Sequence, residues 1–250
     1  MKSKRSMLET HLVSYEDIAS EYYDRTRHPT CANFREASAR ILRGWLQRHR
    51  VERGQVCEVG AGNSLLAELL VEMGEELQGL IISDPSPSML EFSKKWINRG
   101  AQLSLNRAEM IPVLSNSLGL LVSSLGDPYN EPTFWDETKR ALRPGGLVFF
   151  TTPAYEWAKA FRLQSGQGEI TSAEFELKDG RKVLVPSLIY PIEQQVELIK
   201  NSGLEIGEVV QVPRSALESE HLSPKLFIDH GDDVNVVTGY LCTKPRNKNP

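Results

Sequence analysis

Apolar and polar residues alternate along the first 150 residues with two different periods. Short apolar runs ending in glycine, serine or aspartate are typical of buried strands, and apolar residues three and four apart are typical of helices. Such alternation predicts an α/β fold in which helices cover both faces of a parallel sheet. The predicted strands lie at 55–59, 80–83, 102–105, 118–124 and 147–151, and the predicted helices at 33–49, 64–73, 88–98 and 132–142.

Two further segments depart from this alternation. Residues 11–28 carry aromatic and apolar side chains three and four apart, at Tyr15, Ile18, Ala19, Tyr22 and Tyr23, which predicts a short N-terminal helix. Residues 171–190 form two alternating arms around Asp179–Gly180, which predicts a β-hairpin. The remaining predicted elements are a helix at 192–202 and strands near 205–212 and 234–243.

Length and composition are those of one globular domain. The chain has 250 residues, 40% hydrophobic and 25% charged, which excludes collagen-like, disordered and coiled-coil classes. The net charge of −4 gives no indication that the protein binds nucleic acid through its overall charge. Residues 1–53 nevertheless contain 11 Lys and Arg against 7 Asp and Glu. The residues behind this excess, interpreted as a solvated helix face or as a patch for an anionic substrate, are Arg35, Arg40, Arg43, Arg48, Arg50 and Arg53.

Cysteine usage and the absence of long apolar runs bear on location. Cys31, Cys57 and Cys242 are odd in number and form no C-x-x-C pair, which predicts reduced thiols and no disulfide framework or metal site. No run approaches the roughly 18 apolar residues of a membrane span, and no apolar segment follows the basic start. The sequence therefore predicts a cytoplasmic protein without a membrane segment.

A glycine loop, Gly60-Ala61-Gly62-Asn63-Ser64, joins a predicted strand to a predicted helix. Glycines let a ligand approach the backbone, and the helix N-terminus offers free N–H groups. The ligand could be a dinucleotide or another nucleoside-bearing cofactor, and a purely structural turn is the alternative. The dinucleotide fingerprint G-x-G-x-x-G/A is incomplete, because Leu65 occupies its third glycine position.

Asp84 is the second candidate ligand. It ends the next predicted strand, 24 residues after Gly60, where a carboxylate accepts hydrogen bonds from two ribose hydroxyls. The alternative is an N-cap for the following helix, a role that Ser86 or Ser88 could also serve.

These motifs, in this order, resemble class I S-adenosylmethionine-dependent methyltransferases. Glu58, Gly60 and Gly62 match the first motif of that family, E/D-x-G-x-G, and the segment from Asp84 to Leu90 matches the second. The resemblance is specific over 55–152 and looser over 190–245. Its further matches are Asn106–Pro112, Leu120–Ser124, Ala141–Leu147 and Leu198–Ile206.

The resemblance implies a three-layer Rossmann-like methyltransferase fold, with a mostly parallel seven-stranded sheet flanked by helices. We expect a single domain over 1–250. Its predicted parts are an N-terminal helical cap (1–53), a cofactor-binding core (54–152), an insertion with the hairpin cap (153–190) and the C-terminal part of the sheet (191–245). The hairpin could cover the substrate pocket, form a dimer contact or be a simple surface insertion.

The resemblance also implies S-adenosylmethionine as the cofactor, S-adenosylhomocysteine as its product, and a set of residues that bind the cofactor. Glu58 and the backbone of Gly60, Ala61 and Gly62 would hold the methionine end, and Asp84 the ribose. The other implied contacts are Pro85 or Met89 on the adenine, Ala108 and Glu109 at its edge, Ser124 near the sulfonium, and Tyr15 with Tyr22 or Tyr23 closing over the cofactor.

Two positions depart from the pattern of the family. Ser64 stands where the loop usually has a third glycine, and Arg107 stands where an aspartate usually meets the adenine amine. Arginine cannot accept a hydrogen bond, so this contact would fall to backbone atoms or to Glu109. A degenerate cofactor-binding module that regulates a partner is therefore one alternative.

Methyl transfer needs alignment and exclusion of water more than a catalytic triad, although a base helps a protic acceptor. Asp127 and Tyr129 belong to Asp127-Pro128-Tyr129-Asn130, a poor match to the D-P-P-Y tetrad of base-amine methyltransferases, and the loop could equally be a polar turn. His28 is a further candidate base or a surface or capping residue. Tyr155, Trp157 and Phe161 could line the substrate pocket or belong to the core.

The leading hypothesis is O- or N-methylation of a small molecule. The runner-up is methylation of RNA or of a protein side chain, which the basic N-terminal segment favours and the acidic remainder disfavours. Nucleic acid is thus an unfavoured partner, and the sequence leaves monomer and homodimer open.

Overall fold

A seven-stranded sheet forms the centre of the protein in the computed structural model, which describes residues 13–49, 55–164, 171–227 and 233–246. The strand order is β3-β2-β1-β4-β5-β9-β8, and β9 runs antiparallel to both of its neighbours while the other pairs are parallel. The predicted mostly parallel, seven-stranded sheet is confirmed. The strands are β1 (Gln55–Val59), β2 (Leu80–Asp84), β3 (Gln102–Leu105), β4 (Leu118–Ser123), β5 (Leu142–Pro153), β6 (Ser172–Glu176), β7 (Lys182–Pro186), β8 (Glu205–Pro213) and β9 (Asn235–Thr243).

Helices cover both faces of this sheet because alternate strand residues point to opposite sides. Leu120 and Val122 of β4 belong to a core with α2, α3 and α6, whereas Leu121 belongs to a second core with α5 and α7. The three-layer arrangement is therefore confirmed. The helices are α1 (Tyr15–Tyr22), α2 (Pro29–Arg48), α3 (Leu65–Glu72), α4 (Pro87–Glu91), α5 (Pro132–Ala141), α6 (Tyr155–Gln164) and α7 (Ile192–Asn201). Among the described residues, no helix has the length and apolar character needed to cross a membrane.

The topology places the glycine loop at the centre of the sheet. From β1 the chain builds outward through β2 and β3, and then returns to place β4 on the other side of β1. Ligands of open α/β sheets bind in the crevice outside the carboxyl ends of the strands, where the strand order reverses. The end of β1, followed by Gly60, lies at this reversal.

The predicted hairpin is present and packs on α1. Strands β6 and β7 pair in antiparallel fashion as a separate two-stranded sheet, and Gly180 takes a φ of +82° in their connecting turn. Phe175 and Val185 of the hairpin share a small core with Ile18 of α1, and Val13 N donates to Leu184 O at 2.8 Å. The hairpin therefore braces the N-terminal helix from outside.

Several elements differ from the sequence prediction, and α2 begins at Pro29, four residues before the predicted start. The helix expected at 88–98 is α4 followed by a separate 3-10 turn at Lys94–Arg99, and the break falls at Ser93, whose hydroxyl donates to Gly62 O at 2.6 Å. Strand β5 begins at Leu142 because that residue pairs with Leu118 before a register shift. Helix α6 follows β5 directly and was not predicted.

Acidic side chains neutralise the basic face of α2. The guanidinium of Arg35 lies 2.7 Å from the carboxylate of Glu68, as one of four such pairs. This supports the interpretation as a solvated helix face over an anion-binding patch. The other pairs are Arg40–Glu218, Arg43–Glu72 and Arg48–Glu208, and Arg50 and Arg53 lie outside the described residues.

Candidate functional site

A cavity of about 1050 Å³ opens at the carboxyl ends of the central strands. Its floor contains Gly60 and Ala61 after β1 and Asp84 at the end of β2, and its roof contains residues of α1 and the start of α2. Of the residues predicted for cofactor binding or catalysis, ten line this cavity. They are Tyr15, Tyr23, His28, Gly60, Ala61, Asp84, Pro85, Met89, Ser124 and Tyr129.

Glu58 holds the glycine loop from beneath and does not line the cavity. Its fully buried carboxylate accepts hydrogen bonds from Leu65 N at 3.1 Å, from Leu66 N at 3.2 Å and from the Ser64 hydroxyl. Burial raises the pKa of Glu58 to about 7. Glu58 thus caps the first turn of α3, whereas the sequence placed it on the methionine end of the cofactor.

The structure explains why a serine stands at position 64, where the resemblance leads us to expect a glycine. Its hydroxyl accepts a hydrogen bond from Ala67 N at 3.0 Å, so it is the N-cap of α3 and also donates to Glu58. A glycine at this position would lack both bonds. The serine therefore strengthens the loop-to-helix junction, and this substitution by itself gives no support to a degenerate site.

The backbone amides of the glycine loop donate to acceptors within the protein. Ala61 N donates to Ser83 O at 3.0 Å and Gly62 N to Asp84 Oδ2 at 2.9 Å. Ser64 N donates to Ser93 Oγ at 2.9 Å. Gly62, which was predicted to contact the cofactor, does not line the cavity, since a Cβ there would lie 2.2 Å from the Tyr23 hydroxyl. The loop is therefore held in shape before any ligand binds.

Asp84 links this loop to the segment after β2. Its Oδ1 accepts a hydrogen bond from Ser86 N at 2.9 Å, and its Oδ2 accepts the one from Gly62 N. Burial raises the pKa of Asp84. Each carboxylate oxygen has a second lone pair, and the residue lines the cavity, so it can also accept ribose hydroxyls. Ser86 is the N-cap of α4, which removes the alternative role considered for Asp84.

Glu16 of α1 and Tyr23, which follows α1, attach the roof to the floor. The Tyr23 hydroxyl accepts a hydrogen bond from Asn63 N at 2.8 Å. Glu16 accepts from Ser88 N at 3.0 Å and from the hydroxyls of Ser86 and Ser88, and the Ser86 bond is the main cause that lowers the pKa of Glu16. The N-terminal segment is thereby attached to both loops that carry the candidate cofactor ligands.

Asp127, which was predicted as a catalytic residue, does not face the cavity. Asp127 lies outside the cavity lining, with its Oδ2 accepting a hydrogen bond from Ser187 Oγ at 2.6 Å and its backbone oxygen one from Leu188 N at 2.7 Å. Asn130 is fully buried and accepts from Trp135 Nε1 at 2.9 Å. Both ends of the Asp127–Asn130 loop thus face the interior, and neither side chain lines the cavity where a base amine would have to bind.

Buried Asp127 should make stability depend on pH. Burial raises the pKa of Asp127 from 3.8 to about 6, so between these values the native protein binds more protons than the unfolded chain, and the free energy of unfolding falls as pH rises. We therefore expect wild type to lose stability relative to Asp127→Asn as the pH rises from about 4 to about 6. Chemical denaturation across this range measures it.

Exposed Asp136 on α5 provides the matched control. Asp136→Asn leaves Asp127 in place, so its free energy of unfolding should show the decrease caused by Asp127. A pH-independent difference between wild type and Asp127→Asn would show that Asp127 titrates normally.

Tyr129 lines the cavity, but its hydroxyl is hydrogen-bonded to strands of the central sheet. Its hydroxyl donates to Val59 O at 2.7 Å and lies 2.9 Å from Ser123 Oγ, and burial raises its pKa. A Cβ on Gly60 would lie 2.2 Å from this hydroxyl, so the ring covers the loop closely. Tyr129 is therefore a neutral, fixed phenol that shapes the cavity.

Several predicted residues lie away from the cavity. Ala108 is buried in the second core, and Glu109 pairs at 3.4 Å with exposed Arg107. Trp157 packs edge-on against Phe34 in the first core, where Tyr155 and Phe161 also pack. None of these residues lines the cavity, so the predicted adenine-edge and pocket-wall positions are not brought together with the glycine loop.

Other lining residues carry little local signal in the sequence. Asn63 follows the second glycine, and its Oδ1 is buried without a hydrogen-bond partner among the described residues. The segment 218–222 reaches the cavity mouth because Ser223 N donates to Asn33 Oδ1 of α2 at 2.9 Å. That contact spans 190 residues of sequence, which no local pattern encodes. The further lining residues include Cys31, Arg35 and Leu125, together with Tyr22, which the sequence offered as an alternative to Tyr23.

These residues suit a ligand that carries several hydrogen-bond donors beside an apolar ring. The unpartnered Asn63 Oδ1 and the Asp84 carboxylate are acceptors, and Pro85 and Met89 supply apolar surface next to them. S-adenosylmethionine has ribose hydroxyls and amino groups as donors and adenine as its ring. The residues present therefore fit this cofactor.

Comparisons with known proteins agree with this geometry. Residues 57–150 match a family described as a methyltransferase domain, and no curated protein sequence matches the chain. An S-adenosylmethionine dependent methyltransferase from Mesorhizobium loti superposes with a TM-score of 0.56 at 15% identity, covering 83% of this chain and 97% of that one.

Two further similar structures contain S-adenosylhomocysteine. The geranyl diphosphate C-methyltransferase of Streptomyces coelicolor gives a TM-score of 0.59 at 10% identity and covers 82% of this chain and 77% of that one. The 1,6-didemethyltoxoflavin-N1-methyltransferase of Burkholderia thailandensis gives 0.55 at 15% identity and covers 92% and 86%. The match over residues 57–150 and the fold together indicate an S-adenosylmethionine-dependent methyltransferase.

Proposed function

We propose that this enzyme methylates an oxygen or nitrogen atom of a small molecule that binds under α1. The observation that carries the proposal is the roofed cavity of about 1050 Å³ between α1 and the glycine loop. Small-molecule sites are typically enclosed clefts of about 300–1,000 Å³ lined by apolar and aromatic side chains with a few polar groups. A cavity of this size has room for the cofactor and a small acceptor together.

The roof supports this acceptor class over a macromolecule. Glu16 and Tyr23 bind the floor, and the hairpin packs on α1 from outside. A folded RNA or protein would have to present its target through this cover. The main arginines of α2 pair with carboxylates and so offer little free charge to phosphates.

We assign the cofactor to the floor. The methyl group comes from the sulfonium of S-adenosylmethionine, and the enzyme supplies alignment and a site without bulk water. Asp84 would accept the ribose hydroxyls, Pro85 and Met89 would contact the adenine, and Gly60 and Ala61 would lie against the methionine end. Ser124, whose hydroxyl lies 2.8 Å from Ser38 Oγ, would be near the sulfonium, with Tyr15 and Tyr23 above it.

Two similar structures support a small acceptor by analogy of fold. Their names specify geranyl diphosphate and 1,6-didemethyltoxoflavin, both small molecules. The single domain over 1–250 and the cytoplasmic location remain predictions.

A labelled-methyl screen tests the proposal. Purified enzyme is incubated with cell extract and S-adenosylmethionine labelled on its methyl group, and the products are separated into small-molecule, RNA and protein fractions. We expect label in the small-molecule fraction with wild type and a large loss with Asp84→Ala. Label in RNA or protein would support the runner-up. Cofactor binding by calorimetry without label in any fraction would support a regulatory module.

A further inference from the structure

His28 precedes α2 and forms part of the cavity wall. Its ring stacks on Phe175 of the hairpin, with centroids 4.0 Å apart and planes inclined at 26°. The side chain is 9% exposed. The ring is therefore held between the cavity and the hairpin, with few orientations open to it.

A buried carboxylate faces this ring. Glu21 Oε2, from the last turn of α1, lies 3.6 Å from His28 Nε2, and neither atom has a hydrogen-bond partner among the described residues. Arg27 Nε lies 3.7 Å from the same carboxylate oxygen, on a side chain that is 43% exposed. Buried polar atoms without partners are costly and uncommon in folded proteins, which makes this pair a candidate for a functional role.

Burial keeps the His28 ring neutral near pH 7. Burial lowers the pKa of His28 and outweighs the opposing effects of Glu21 and Asp24, while Arg27 lowers it further. A neutral imidazole has one N–H and one acceptor nitrogen. A carboxylate beside Nε2 favours the proton on that nitrogen, which leaves Nδ1 as the acceptor.

Two tyrosines and a cysteine line the cavity beside His28. Tyr22 stacks on Phe175 at 6.1 Å and meets Tyr15 edge-on at 5.6 Å. Burial raises the pKa of both tyrosines and raises that of Cys31 to about 12, so all three stay protonated. His28 is thus the wall residue in this group that can take up a proton at neutral pH.

We propose that this aromatic wall binds a flat, largely apolar acceptor and that His28 takes the proton from its hydroxyl or ammonium group, with Glu21 as the positioning residue. The inference rests on the proposed function and names its substrate class. The bond from the acceptor oxygen or nitrogen to the methyl carbon forms as the carbon–sulfur bond breaks. The acceptor proton moves to His28 Nδ1, and S-adenosylhomocysteine leaves as a neutral sulfide.

Probe binding tests the wall and the proton acceptor. With saturating S-adenosylhomocysteine, 2-naphthol and 2-naphthylmethylamine are titrated against the protein, with naphthalene as the probe without a protic group. We expect 2-naphthol or the amine to bind at least ten-fold more tightly than naphthalene and to shift the NMR signal of His28. Tighter binding of 2-naphthol would indicate a hydroxyl acceptor, and tighter binding of the amine would indicate an amine acceptor.

Variants assign these effects to the residues. His28→Gln should remove the preference over naphthalene, whereas His49→Gln, a control outside the cavity, should retain it. Glu21→Gln should lower the pKa of His28 in an NMR titration, an effect that a merely structural role of Glu21 would not produce. Equal binding of all three probes, or a preference that survives His28→Gln, would overturn the role of His28. An unchanged His28 pKa in Glu21→Gln would overturn that of Glu21.

Calorimetry separates this inference from the proposed function. Wild type and His28→Gln should bind S-adenosylhomocysteine equally, because His28 is not assigned to the cofactor. Normal cofactor binding with no probe preference would overturn the inference alone. No cofactor binding by wild type would instead refute the proposed function.

Discussion

Asp84→Ala is expected to weaken S-adenosylmethionine binding by about 100-fold. The carboxylate braces the glycine loop through Gly62 N and the next segment through Ser86 N, and it is the acceptor assigned to the ribose. Hydrogen bonds to charged groups contribute about 1.5–3 kcal/mol. Losing about 3 kcal/mol corresponds to roughly two powers of ten in affinity. Titration calorimetry with the cofactor measures the change directly.

Two companion measurements make this result specific. Asp136→Ala, an exposed position on α5, should bind the cofactor as wild type does. Thermal unfolding of Asp84→Ala must still show a cooperative transition, so that weak binding is not a failure to fold. Unchanged affinity in a folded Asp84→Ala protein would refute the placement of the ribose.

Glu58→Ala is expected to lower the free energy of unfolding by about 3 kcal/mol or more. The carboxylate is the partner of Leu65 N, Leu66 N and the Ser64 hydroxyl in the interior. Each buried donor left without a partner costs about 1–3 kcal/mol, although rotation of the serine hydroxyl recovers part of this. For a chain of this size, the melting temperature should fall by about 10 °C.

A second variant separates the effect of losing the Glu58 charge from the effect of losing its side-chain volume. Glu58→Gln keeps one acceptor oxygen, so it should lose less stability than Glu58→Ala. Exposed Glu156→Ala on α6 is the control and should stay within about 0.5 kcal/mol of wild type. If denaturation gave similar stabilities for Glu58→Ala and Glu156→Ala, Glu58 would not hold the start of α3.

Local patterns predicted most of the central sheet. Buried strands such as β4 have apolar side chains on both faces, and the glycine loop and Asp84 end neighbouring parallel strands. Strands that run in parallel bring their carboxyl ends to one edge, so the meeting of Gly60 and Asp84 followed from the order of elements. Helix α6 was missed because it follows β5 without an intervening turn signal.

Side-chain direction was much harder to predict than position. Glu58 and Asp127 stand at strand and loop positions typical of this family, but both point away from the cavity. A carboxylate at the end of a strand can turn to a ligand or to a nearby helix N-terminus, and the sequence does not distinguish these outcomes. For Glu58, the donors of Ser64, Leu65 and Leu66 decide the direction.

The sequence alone determined that this protein has an α/β sheet with a glycine loop, a strand-end acid and an N-terminal aromatic helix, because each is written in local periodicity. Only the tertiary structure decided which residues share the cavity. Tyr23 contacts Asn63 across 40 positions, and Phe175 contacts His28 although strands β1 to β5 lie between them in the chain. Such contacts depend on how separate elements pack, and packing brings together residues that no local pattern connects.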